Sequence, residues 1–151
     1  LMLAKGSSTP TNILAQIAQT DDQLVQGAIV SNTNTPLSTI TQLAASKFPR
    51  VREAVVSAPG IPLDILLLLA KDDEGRVRAA VAAHPATLIG TLMEMQSDEY
   101  FDVRRNLIRN PNTPTSVLEK LATDKYSIIK SEARSALGKR QMQNQQVHGT
   151  Q

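Results

Sequence analysis

The chain has 151 residues, enough for one compact domain, and with 41% hydrophobic but only 3% aromatic residues its core must be aliphatic, leaving little to stack on bases or sugars. Lys and Arg number 16 against 14 Asp and Glu, and a surplus of +2 neither requires nor forbids a polyanionic partner. There is no Cys, which excludes disulfides, zinc–thiolate sites, iron–sulfur clusters and a cysteine nucleophile.

The opening LMLAKGSST holds too short an apolar run for a signal peptide. The longest apolar block, residues 65–70, falls far short of a membrane span. We therefore expect a cytoplasmic protein with no membrane partner.

Two stretches look like one device built twice: SNTNTPLSTITQLAASK (31–47) and RNPNTPTSVLEKLATDK (109–125). Pro recurs at Pro10, Pro36, Pro62 and Pro114, at intervals of 26, 26 and 52 residues, and Leu88 stands at the skipped beat. The chain divides into five units, 10–35, 36–61, 62–87, 88–113 and 114–139, with 1–9 as the remnant of a preceding unit. Apolar columns align without gaps. They comprise Leu14, Ile40, Leu66, Leu92 and Leu118, and Ile29, Val55, Val81, Leu107 and Ala133.

Each unit reads as two short helices. Thr9, Thr35 and Thr113 stand where an N-cap should, followed by Pro at the first helical position. A first helix of about nine residues, a polar turn and a second helix follow. Pro49 and Gly75 mark second-helix starts, and Pro59, Pro85 and Pro111 close them. Helices this short are marginal alone, so they must bury their stripes against neighbours, as in a solenoid. The expectation is an all-α solenoid of about five 26-residue two-helix repeats forming one domain over 1–137. Residues 138–151, GKRQMQNQQVHGTQ, lack an apolar stripe and are expected to be a disordered Gln-rich tail.

At these columns the chain resembles the leucine-rich repeat variant family, a relative of HEAT and armadillo repeats. The residues carrying the resemblance are NPNTP..VL..LA.D (110–124) and Val77-Arg78 to Pro85, and it covers about residues 7–137. Ile61 for Thr, Leu88 for Pro and Thr33 for Pro depart from the pattern. The resemblance implies a right-handed superhelix of paired helices, some of them 3-10, serving as a recognition surface.

Several constellations follow from the columns. Asp72, Asp98 and Asp124 lie in the inter-helix turns, and six residues later stand Arg78, Arg104 and Lys130, with Arg52 in the same column. Their blandest role is a structural ladder, with carboxylates capping the second helix and pairing with the Arg column. Arg50, Arg76, Arg105 and Arg109 share a second-helix face, a mildly basic groove interrupted by Glu53 and Asp102. Leu67 and Leu68 fall where other units are polar or small, and Met93 occupies the column of Leu67 one unit on. They form a candidate interface patch. His84 shares a column with Asn32 and Asn110 and reads as a loop hydrogen-bonder. No catalytic pair, metal-ligand set or phosphate loop stands out, so we expect a non-enzymatic scaffold with no cofactor. Its partner would be a protein or peptide, including a second copy as a homodimer; the alternative is nucleic acid held in the basic groove.

Overall fold

The computed structural model describes residues 1–149 and is all-helical. Thr150 and Gln151 of the expected tail lie outside the described residues. The described residues fall into two compact units that divide between Val81 and Ala82.

The first unit holds α1 (Met2–Lys5), α2 (Thr11–Ile17), α3 (Gln23–Val30), α4 (Leu37–Leu43), α5 (Pro49–Val56) and α6 (Leu63–Leu69). The boundary falls inside α7 (Gly75–Ala83). The second unit continues with α8 (Ile89–Glu94), a 3-10 turn at Met95–Ser97, α9 (Phe101–Arg109), α10 (Thr115–Leu121) and α11 (Ser127–His148). The helices alternate in start position with a constant step. From α2 the first helices begin at 11, 37, 63, 89 and 115, and the second ones at 23, 49, 75, 101 and 127, each series at 26-residue intervals.

The cores follow the apolar columns. Leu14, Leu66, Leu92 and Leu118 are buried, as are Ile29, Val55, Val81, Leu107 and Ala133. Phe101 and Tyr126 meet edge to face at 5.4 Å between centroids, the one aromatic pair among the described residues.

Three local expectations need correction. The Thr residues do not cap the first helices. Pro10, Pro36, Pro62 and Pro114 themselves occupy the cap position in extended geometry. The hydroxyls of Thr9 and Thr35 instead donate back to Leu3 O and Ile29 O at 2.6 and 2.7 Å, tying the loop to the preceding helix. The first helices are also shorter than expected, seven residues in α2, α4, α6 and α10. Finally, residues 138–148 are not an irregular tail but the continuation of α11. Lys, Arg, Gln and Met have high helix propensity, so a helix anchored by buried Ile129 and Ala133 propagates outward without needing an apolar stripe.

Candidate interaction surfaces

The Arg column is the most regular polar feature. Arg52 Nε and Nη2 donate to Asp72 Oδ2 and Oδ1 at 2.7 and 2.9 Å, while Nη1 donates to Ser46 O at 2.7 Å. Arg104 repeats this with Asp124 at 2.7 and 3.4 Å and with Asp98 O at 2.6 Å. In both, the guanidinium spans the carbonyl six residues back and the carboxylate twenty residues on. Gln26 stands in the same column without a charge. Its Nε2 donates to Thr20 O at 2.9 Å and its Oε1 accepts from Ser46 Oγ at 2.5 Å. A neutral amide and hydroxyl thus fill the same pattern.

Arg78 donates to Asp72 O and Asp73 O at 2.8 and 3.1 Å, and Asp98 Oδ1 accepts the Tyr100 N–H at 2.8 Å. Lys130 ends the column half-buried. Asp72 and Asp124 also accept the N–H groups of Glu74 and Tyr126, so each carboxylate both shapes its turn and receives an Arg.

These pairs are consumed by the fold. The Arg104 and Asp124 side chains are 6% and 7% exposed. The Arg104 guanidinium also lies over the Tyr126 ring at 5.5 Å. Burial pushes the Asp124 carboxyl up, but the Arg104 and Tyr126 hydrogen bonds outweigh it and hold the pKa below the usual value. Asp72 is lowered in the same way, burial opposing and the Arg52 and Glu74 bonds prevailing. A buried, bidentately paired guanidinium has no face to offer a phosphate.

A second set of contacts closes the loops after the second helices. Asn32 Nδ2 donates to Ala4 O and Gly6 O at 2.7 and 3.0 Å, and its Oδ1 accepts the Asn34 N–H. Asn110 does the same with Ala82 O and His84 O at 2.8 and 3.2 Å, and with the Asn112 N–H. His84 takes the acceptor half of this role, its Nδ1 receiving the Ala86 N–H at 3.1 Å. Burial lowers the pKa of the imidazole, consistent with an unprotonated Nδ1 that accepts.

The four basic-groove residues are not equivalent. Arg105 is committed to Glu132, with Nη2 to Oε1 at 2.8 Å and Nε to both carboxylate oxygens at 3.1 and 3.2 Å. That bond raises the pKa of Arg105 and lowers that of Glu132. Arg109 reaches the same carboxylate only at 3.8 Å, and Arg76 approaches Glu53 at 4.0 Å. Arg50 is exposed. Glu132 sits 27 residues after Arg105, one more than the 26-residue column spacing, so alignment of columns alone does not pair them.

On α6, Ile65, Leu66 and Leu69 are buried, whereas Leu67 and Leu68 are 38% and 60% exposed. Leu63, one helical turn before Leu67, is also exposed, an addition that i, i+4 spacing from Leu67 would have found. In the other unit Met93 is exposed on α8 together with Ile89, which holds the corresponding i−4 position.

Among the described residues no group of three or more His, Asp or Glu side chains could hold a metal ion, and no helix is long and apolar enough to cross a membrane. No protein-family model, curated protein or solved structure matches this chain.

Proposed function

We propose that the chain is a right-handed α-solenoid of about five two-helix repeats, related to the leucine-rich repeat variant family, that acts as a non-enzymatic cytoplasmic scaffold for a protein or peptide, a second copy of itself included. The constant 26-residue step of the helix starts supports the repeat. So does the return of the same bonding pattern at Gln26, Arg52 and Arg104, and at Asn32 and Asn110.

The observation that carries the binding role is the pair of leucines Leu67 and Leu68, left in water by a helix whose core positions are already filled. Covering apolar surface is worth roughly 25 cal/mol per Å². Several such side chains therefore offset part of the cost of association. Met93 holds the Leu67 position one repeat on in the sequence and is likewise exposed within its own unit.

Nucleic-acid binding is the rival. It is disfavoured because Arg52 and Arg104 are tied up in largely buried ion pairs and Arg105 is committed to Glu132. Affinity capture from a native extract, with and without nuclease, separates the two. A protein partner retained after nuclease supports the scaffold. Retention that depends on nucleic acid and falls steeply with salt supports the rival.

A further inference from the structure

Grooves recur at one register of the second helices. In the first unit a cleft of about 350 Å³ is lined by Ser31, Asn32, Ala54, Ser57 and Ala58, and carries no charged side chain. A cleft of about 540 Å³ in the second unit uses the residues 78 positions on, Arg109, Asn110, Glu132, Ser135 and Ala136. Three repeats thus separate a neutral version from a charged one. The second cleft is also deepened by the outer part of α11, which adds Lys139 and Arg140. That wall exists because α11 runs for 22 residues where α3 and α5 stop at eight.

The charges in this cleft do not cancel. Glu132 is its one carboxylate, and it is already held bidentately by Arg105 from outside the lining. Arg109, with its side chain 57% exposed, lies 3.8 Å from that carboxylate, too long for a hydrogen bond. Lys139 is exposed and has no ion-pair or hydrogen-bond partner among the described residues. Arg140 makes two long bonds to neutral oxygens, 3.4 Å to Thr115 Oγ1 and 3.5 Å to Pro111 O. Three cations therefore surround Ser131, Ser135 and Ala136 against the single carboxylate of Glu132, which Arg105 already holds and which Arg109 meets only in a long ion pair.

We infer that this cleft, between the end of α9 and α11, binds an acidic peptide segment of a partner protein. Its volume lies within the roughly 300–1,000 Å³ typical of ligand clefts. Two guanidinium groups suit carboxylates that arrive singly along an extended chain, and the serines and Gln143 can meet peptide N–H and C=O groups. No aromatic side chain lines the cleft, so bases have no stacking platform there, which favours a peptide over a single-stranded nucleic acid. This site is independent of the leucines on α6.

Fluorescence anisotropy of a short labelled peptide of alternating Glu and Ser, titrated with the full chain, tests it. The peptide should bind, more weakly as salt rises from about 0.05 to 0.3 M. Arg109→Gln/Lys139→Gln/Arg140→Gln should raise its Kd at least roughly tenfold, a loss of about 1.4 kcal/mol. Arg50→Gln/Arg76→Gln should bind like the parent, and so should Leu67→Glu/Leu68→Gln. If the triple variant loses helical signal, Lys139→Glu alone decides, because that side chain is exposed and unpartnered. Absence of peptide binding, or parent-like binding by the folded triple variant or by Lys139→Glu, overturns the inference. Tighter binding of a labelled oligonucleotide through the same three residues overturns it too. None of these outcomes touches the α6 surface.

Discussion

Arg104 and Asp124 stand twenty residues apart and meet through a 2.7 Å Nε–Oδ2 bond, both side chains almost wholly withdrawn from water. Removing one partner of such a pair leaves a buried charge uncompensated. Arg104→Ala should therefore lower the unfolding free energy by about 3–5 kcal/mol. Lys47→Ala, which breaks an ion pair with Asp21 whose side chains are 63% and 71% exposed, should cost about 1 kcal/mol or less. Urea unfolding of both variants checks this. Equal costs would mean that the Arg column is not structural.

Acid should unlock the same pairs. The folded pKa values of Asp72 and Asp124 lie below the ordinary 3.8, so the unfolded chain takes up these protons first as pH falls. Their stabilisation is fully present above 3.8 and is lost as pH drops through the lower folded values. Asp124→Asn should be less stable at neutral pH, with a shallower loss of stability between about pH 4 and 2. Thermal unfolding across that range measures the slope. An unchanged slope contradicts the assignment.

His84 offers a second titration. Its lowered pKa means that the neutral imidazole is favoured in the folded state. The stability it contributes is complete above the ordinary 6.5 and drains as pH falls through the lower folded value. Asn should replace it well, because Asn110 performs the same acceptor role two positions ahead of Asn112. His84→Asn should retain stability at pH 7 and flatten the dependence between about pH 5 and 7. Imidazole proton shifts followed by NMR in the parent give the matching titration.

Asn110 itself is 2% exposed and fills three bonds at once. Asn110→Ala removes the side-chain donor to Ala82 O and the acceptor of the Asn112 N–H, while His84 O keeps the Thr87 N–H at 3.1 Å, and should cost roughly 1–3 kcal/mol for a buried group left unsatisfied. Asn112→Ala removes one exposed bond to Pro85 O and should cost much less. Chemical denaturation separates them.

Much of this was legible in the residues. The 26-residue step, the core columns and the start of α5 at Pro49 follow from apolar spacing and from Pro and Asp punctuation. For Thr9 and Thr35 the sequence points to an N-cap because Thr before Pro satisfies two local rules. The competing acceptor, a carbonyl six residues back, appears only once the loop has folded over the preceding helix. The Gln26–Ser46 bond escaped because neither residue is charged. Glu132 escaped because its partner lies on another helix. The outer turns of α11 leave no periodic trace in the sequence, because periodicity marks a buried face and residues 141–148 have none.

The binding-scaffold reading meets its most direct test at Leu67 and Leu68. Both are exposed while Leu66 and Leu69 fill the core, so Leu67→Glu/Leu68→Gln should leave the helical circular dichroism spectrum intact. Sedimentation velocity, paired with capture of the nuclease-resistant partner, should show that the folded double variant has lost self-association or partner binding. A folded variant with unchanged sedimentation and unchanged partner capture would contradict the role given to this surface, and wholesale unfolding would mean the two leucines belong to the core.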